Sequence, residues 1–285
     1  MCTLVPSPGT DSLRAYDGAR LSFFDDRGRF SHRLPVLWQG HRVASVVGVA
    51  SKSVLVETRR FVTSPDGGLA SQPSTTKFAL LGFESGRAVW DGFFLGAQQY
   101  TFVLRNYPVI YFVPFDILPS AAIGMDGFFL TLGEEVGPEI LEFDTSGRLR
   151  RVIRLDEPTS PPSPDDLDKY TEFQIDRRNV PEDYRERYFE VERSRYQEMP
   201  LPHNIPVFSR LLIDDTGLLW AELYRFDVRA PARWLVFGPN GEGLGSVDMP
   251  LDLQVWQIGH DFVLGVWQDE HEVEYVRRHA LSGRR

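Results

Sequence analysis

Residues 141–149 read Leu-Glu-Phe-Asp-Thr-Ser-Gly-Arg-Leu. An apolar strand that ends in an aromatic residue is followed by an Asp-opened turn, a glycine and a second strand, and this order is typical of a β-hairpin. The glycine supplies a positive φ that a residue with a Cβ disfavours. The pattern recurs at residues 21–30 and 234–244, and in a shortened copy at residues 78–86. This recurrence predicts a fold of repeated antiparallel units.

A second pattern precedes the first along the chain. Two short apolar strands flank a tight turn of Asp and Gly at residues 121–130 and 211–220. The layout returns with other turn residues at 46–56 and 254–264. These strands are apolar on both faces, as expected of buried strands. Together the two patterns give a buried hairpin followed by an outer hairpin, which is the layout of one propeller blade.

The predicted fold class is therefore all-β, a β-propeller of four-stranded antiparallel blades that forms a single domain over residues 1–285. We count four fuller blades and one partial blade. The first blade needs residues 1–5 as its innermost strand. The last unit, residues 254–281, has a third strand beginning at Val273 and nothing left for a fourth. Propellers commonly complete the last blade with an N-terminal strand, which removes such an exposed edge.

The blade pattern is similar to that of bacterial six-bladed β-propellers of the NHL or TolB-like kind. The likeness rests on Leu218-Leu-Trp220 after the inner turn and on residues 263–269 with the Val-Glu-Tyr-Val stretch 273–276. It implies a six-bladed plan shortened at the N-terminus, with about five blades present, and leaves open whether the ring closes. It also implies a periplasmic or extracellular location, although we find no export signal in the chain.

Composition restricts the partners. The net charge is −9 and the acidic and basic residues are interleaved, so no basic stripe is available for nucleic acid. The single cysteine, Cys2, excludes an internal disulfide and a Cys-based zinc site. The longest apolar runs are shorter than the roughly 20 residues of a membrane span. We expect a monomer.

Residues 156–206 interrupt the repeat and are predicted to form a helical insertion between two blades. Ser163 can cap a first helix with Pro164 in its first turn. A second helix is predicted over residues 182–198, with Tyr184, Tyr188 and Val191 on one face. The insertion is either a lid over the central channel or a segment whose tyrosines pack on the blades beneath.

Two groups of residues are candidates for ligand binding. His203 and Asn204 lie where the insertion returns to an inner strand, although a simple turn role explains them too. Arg105, Asn106 and Tyr107 connect two blades and offer a guanidinium, an amide and a phenol to a polar or anionic ligand.

Catalytic and metal motifs are missing from the sequence. The histidines lack metal-site spacing, and no Gly-x-Ser-x-Gly motif occurs. Asp126, Asp214 and Asp215 could hold a cation or serve in acid–base chemistry, but their turn positions explain them equally well. We therefore predict no catalytic residues and no resident cofactor, with Ca²⁺ as the one cation to consider.

Two functions remain open. The first is a non-catalytic binding scaffold of the bacterial envelope that presents a ring face to a protein, peptide or glycan. The second is an enzyme, since propellers resembling this chain include lyases and metal-dependent, lactonase-like hydrolases with a site at the central channel. Polar side chains that converge on the channel would favour the enzyme.

Overall fold

The structure is a computed structural model. It describes residues 3–4, 13–39, 41–50, 52–60, 72–83, 85–104, 107–116, 118–131, 137–156, 159–227, 230–250, 253–269 and 273–281. These residues form five antiparallel blades arranged as a β-propeller, with two helices. The count of four fuller blades and one partial blade is confirmed. The six-bladed plan is not found in the described residues.

Each blade runs outward from its first strand in chain order. The first contains β1 (Thr3–Leu4), β2 (Leu13–Tyr16), β3 (Arg20–Phe24) and β4 (Phe30–Pro35). A small hairpin of β5 (Leu37–Trp38) and β6 (His41–Arg42) leads to the second blade. The second blade contains β7 (Ser45–Val49), β8 (Ser53–Arg60), β9 (Gln72–Gly82), β10 (Ala88–Leu104) and β11 (Tyr107–Phe112). As predicted, the N-terminal segment supplies the innermost strand of the first blade, because β1 pairs with β2.

The other three blades follow the same order. The third contains β12 (Ala121–Ile123), β13 (Gly127–Thr131), β14 (Glu139–Asp144) and β15 (Leu149–Arg154). The fourth contains β16 (Phe208–Ile213), β17 (Leu219–Leu223), β18 (Ala232–Phe237) and β19 (Gly243–Met249). The fifth contains β20 (Leu253–Ile258), β21 (Phe262–Gln268) and β22 (Glu274–Ala280).

The repeated hairpin predicted from the sequence forms at the third and fourth strands of four blades. Its glycine has φ between +61° and +81° in every copy: Gly28, Gly86, Gly147 and Gly241. In the first and third blades the Asp that opens the turn accepts hydrogen bonds from backbone N–H groups two and four residues later. The turn residues thus fix the strand register in each blade.

Packing between neighbouring blades forms the core. One buried cluster joins the first blade to the second through Leu21 and Val56, and the next joins the second to the third through Phe78 and Phe128. Two further clusters join the third, fourth and fifth blades. Among the described residues, none of these clusters joins the fifth blade to the first.

The insertion contains α1 (Pro164–Arg177) and α2 (Glu182–Gln197). Ser163 caps α1 as predicted: Asp166 N–H donates to the Ser163 hydroxyl, and the Asp166 carboxylate accepts from Ser163 N–H at 2.9 Å. This capping box and Pro164 fix where the helix begins. Neither helix combines the length and apolar character that crossing a membrane requires.

Of the two alternatives for the insertion, packing of the predicted α2 face on the blades is wrong. Tyr184, Tyr188 and Val191 are exposed, and the buried side chains are Glu192 and Tyr196. The prediction followed apolar spacing alone, whereas arginines on either side of Glu192 allow this carboxylate to be buried.

Candidate functional site

A cleft lies on the ring face that carries the connections between blades. Antiparallel strand order puts three segments on this face: the insertion between β15 and β16, the β11 segment between β10 and β12, and the loop from β17 to β18. These three segments enclose a cleft of about 800 Å³. A cavity of this size fits the range of roughly 300–1,000 Å³ that is typical of ligand sites.

Tyrosines and arginines dominate the walls of the cleft, with two carboxylates among them. The aromatic and charged lining residues include Tyr111, Tyr170, Phe173, Arg177, Arg178, Tyr196, Glu222, Tyr224, Arg225 and Asp116. They come from blade two, the insertion and blade four, so the cleft exists only when all three are assembled.

An aromatic cluster beneath the cleft holds the helices on the ring. Phe115, in the segment after β11, is 1% exposed and packs against Tyr170 of α1 with ring centroids 5.0 Å apart. Tyr170 in turn meets Tyr196 of α2 edge to face at 5.4 Å. Phe226, in the loop after β17, closes the cluster against Phe115 at 5.1 Å. Burial of these rings therefore fixes the position of the insertion.

A buried carboxylate links the two helices to β11. Glu192 is 1% exposed, and its two oxygens accept hydrogen bonds from Arg178 at 3.1 Å and Arg195 at 2.6 Å. Arg195 also donates to the Tyr111 hydroxyl of β11 at 2.5 Å and lies over its ring. Because the carboxylate is paired on both oxygens, its burial is compensated.

The buried tyrosines keep their protons at neutral pH. Burial raises the pKa of Tyr170 to about 12 and raises the pKa of Tyr196 and Tyr224 as well. A protonated phenol both donates and accepts hydrogen bonds. The cleft wall therefore offers neutral polar groups beside aromatic faces.

Two of the three arginines at the cleft, Arg225 and Arg178, are held by neighbouring groups. Arg225 lies over the Phe173 ring at 5.8 Å, and its Nη1 donates to the Ala230 carbonyl at 3.2 Å. Arg178 is held by Glu192, and Arg177 is exposed in the last turn of α1. A guanidinium in a fixed orientation loses less entropy when it binds carboxyl or carbonyl oxygens.

The residues predicted from the sequence lie elsewhere or are not tested. His203 is exposed and Asn204 is half-buried, and neither lines the cleft. Arg105 and Asn106 lie outside the described residues, and Tyr107 is described only as the first residue of β11. The segment that follows Tyr107 does reach the cleft through Tyr111 and Phe112.

The three candidate carboxylates do not gather at one site. Asp214 is fully buried in the turn after β16, while Asp126 and Asp215 are exposed in their turns. Within the described part of the chain, no group of three or more His, Cys, Asp and Glu side chains is placed to hold a metal ion.

We expect Glu192→Ala to destabilise the protein by about 1–3 kcal/mol, because it leaves the guanidinium groups of Arg178 and Arg195 without their shared acceptor. The lower part of the range reflects their partial exposure, 40% and 27%, which lets water replace the lost bonds. Urea unfolding followed by tryptophan fluorescence measures the change. Glu190→Ala, on the exposed side of α2, is the matched control. Equal midpoints for both variants would contradict a structural role for Glu192.

Comparisons with known proteins identify no family. A scan of protein-family models and a search of curated proteins give no match. Among solved structures, the chain is similar to the Neurospora crassa Pan2 WD40 domain, with TM-score 0.39 and 9% identity over 98% of this chain and 61% of that one.

Two other solved structures are similar to the chain. The Pyrococcus horikoshii acylaminoacyl peptidase has TM-score 0.40 and 10% identity over 99% of this chain and 45% of its own. The Saccharomyces cerevisiae Sqt1 structure has TM-score 0.27 and 9% identity, over 98% and 83%. The chain thus spans less than two thirds of the Pan2 and peptidase chains. The resemblance to the NHL and TolB-like families is not confirmed and stays a prediction.

Proposed function

We propose that this protein is a non-catalytic interaction scaffold that binds a peptide segment of a partner protein in the cleft between the insertion, β11 and blade four. The composition of the cleft wall carries the proposal. Tyrosine and arginine are enriched among the residues that supply most of the binding energy in protein interfaces. Four tyrosines and three arginines line this one cleft.

The physical reason is the contact that these side chains make at low entropic cost. Tyrosine presents a large, rigid surface with only two side-chain torsions, and its hydroxyl bonds to peptide groups. Arg225 is oriented by Phe173, and a guanidinium held in this way loses less entropy when it binds a peptide carbonyl or carboxylate. The propeller is the support that holds these groups in place. A bacterial envelope location belongs to the same proposal and is suggested only by the sequence resemblance.

The test is selection of a displayed random-peptide library on the purified protein, followed by fluorescence anisotropy with the enriched peptides. Gln174→Trp fills the cleft from α1, whereas Glu172→Trp places the same ring on the exposed side of that helix. We expect the first variant, but not the second, to weaken binding at least about tenfold, which corresponds to the loss of one strong contact.

Two outcomes would contradict the proposal. One is that no peptide is enriched above a blank surface. The other is that enriched peptides bind the Gln174→Trp variant as well as the unaltered protein. A glycan array run with the same pair of variants gives a separate answer: glycan binding lost only in Gln174→Trp, without peptide binding, would replace the peptide with a glycan.

A further inference from the structure

The third strand of the fifth blade is exposed, unlike the third strands of the complete blades. β14 and β18 are largely buried between their neighbours, whereas six of the seven residues of β22 are exposed and His279 is half-buried. Tyr275 and Val276 are 46% and 65% exposed. No described strand pairs with the outer side of β22.

The hydrogen bonds at both ends of β22 show which backbone groups point outward. Asp269 N–H donates to the Val273 carbonyl at 3.1 Å, and Leu281 N–H donates to the Asp261 carbonyl at 2.8 Å. The pairing between β21 and β22 has no irregularity, so bonded residues alternate along the strand. The residues whose N–H and C=O groups face away from β21 are Glu274, Val276, Arg278 and Ala280.

Two common protections of a sheet edge are missing from β22. Proteins protect edge strands with charged side chains, Pro or a bulge, and of these β22 has only charges, among which Glu274 and Arg278 have opposite sign. β22 reads Glu-Tyr-Val-Arg-Arg-His-Ala and contains no Pro. The outer strands β4, β15 and β19 each have a shift of register in the pairing with the neighbouring strand. The pairing of β22 with β21 has no such shift. As far as the described residues show, this edge has no partner strand.

We propose that β22 pairs antiparallel with β22 of a second copy of this chain. A two-fold axis through the midpoint of the pair would place Val276 opposite Val276 of the second copy. The same register places Glu274 opposite Arg278 of the second copy, and Arg278 opposite Glu274. Three of the four outward residues, Glu274, Val276 and Arg278, then pair with outward residues, as an antiparallel ladder requires, and Ala280 lies beyond the paired segment.

Side-chain chemistry favours this register. Apolar and opposite-charge pairs stabilise adjacent strands when they lie directly across from each other, and like charges oppose pairing. Arg278 already meets Asp261 at 3.1 Å, but both side chains are more than half exposed, so this ion pair contributes little and can be exchanged. Since a strand edge buries less than the roughly 1,200 Å² of a stable interface, we expect a weak dimer rather than the monomer predicted from sequence.

Analytical ultracentrifugation from about 1 μM to about 1 mM covers the range of a weak dimer. We expect the dimer fraction to rise with concentration. Val276→Pro removes an outward N–H group while leaving the bonds to β21 in place, so we expect at least about a tenfold higher dissociation constant. Val276→Thr keeps the N–H group and is the matched control. Circular dichroism of each variant verifies that the fold is kept.

Charge exchange tests the register itself. Glu274→Arg should weaken the dimer, because it places arginines opposite each other, and Glu274→Arg with Arg278→Glu should restore it. A monomer at every concentration would overturn the proposal. So would a dimer that Val276→Pro leaves unchanged, since the contact would then lie on another surface.

Discussion

Asp214→Ala should lower the free energy of unfolding by about 2–4 kcal/mol, because the fully buried carboxylate joins a turn to the core. Its Oδ2 accepts the Trp220 indole N–H at 2.8 Å. Its Oδ1 accepts the backbone N–H groups of Thr216 and Leu218 at 2.9 Å and 3.0 Å. Alanine leaves the buried indole N–H without this acceptor, removes the acceptor of the two turn N–H groups and creates a small cavity beside a tryptophan that is 1% exposed.

Two further variants separate the contributions of this side chain. Asp214→Asn keeps the shape but cannot accept from both the indole and the turn, so we expect an intermediate loss. Asp144→Ala removes the same turn hydrogen bonds in the third blade from a side chain that is only half-buried, and it should cost less. Urea unfolding of the three variants measures the order. Equal losses for Asp214→Ala and Asp144→Ala would show that the Trp220 bond adds nothing.

The repeated turns could be predicted from the sequence because each is a local device. An Asp and a Gly three residues apart determine the turn at Asp25, at Asp144 and at Asp214 with the same hydrogen bonds. Apolar residues on both sides then place the strands. The number of blades follows from the number of repeats of this turn and its flanking strands, so it could be predicted without any knowledge of long-range contacts.

The cleft could not be predicted, because its parts are far apart in the sequence. Tyr111 lies 84 positions from Arg195, with which it forms a hydrogen bond. Nothing in the local pattern of either residue indicates the other. The one usable signal is the insertion itself, residues 156–206, but the predicted binding residues His203 and Asn204 lie at its C-terminal end, whereas the tyrosines and arginines of the cleft lie in or next to its helices.

Burial of polar side chains is the second reason why the site could not be predicted from the sequence. Charged residues are rarely fully buried, so the sequence alone does not indicate that Glu192 is a buried residue of α2. Two arginines from different turns of the insertion pair with it in the folded chain. Whether a charge is paired in this way depends on tertiary geometry, and it produces no periodic pattern in the sequence. It also explains why Tyr184 and Tyr188, which do have helical spacing, lie exposed.

Gly127 lies where two strands of the third blade approach each other closely. The sequence pattern predicts a tight turn at this glycine. In the structure Gly127 is the first residue of β13 and lies opposite Asp144 of β14. A Cβ at this position would lie 2.0 Å from the Phe143 carbonyl oxygen. Because the obstacle is backbone, it cannot rotate away as a side chain could.

We expect Gly127→Ala to destabilise the protein by about 3–5 kcal/mol, since β13 and β14 must separate and the stacked rings of Phe128 and Phe143, 4.9 Å apart, must shift with them. Gly243→Ala is the matched control, because a Cβ on this exposed strand residue meets nothing within 4 Å. Thermal and urea unfolding compare the two. A Gly127→Ala protein as stable as Gly243→Ala would mean that the third blade tolerates a wider strand separation, and that the aromatic pair rather than the glycine sets its packing.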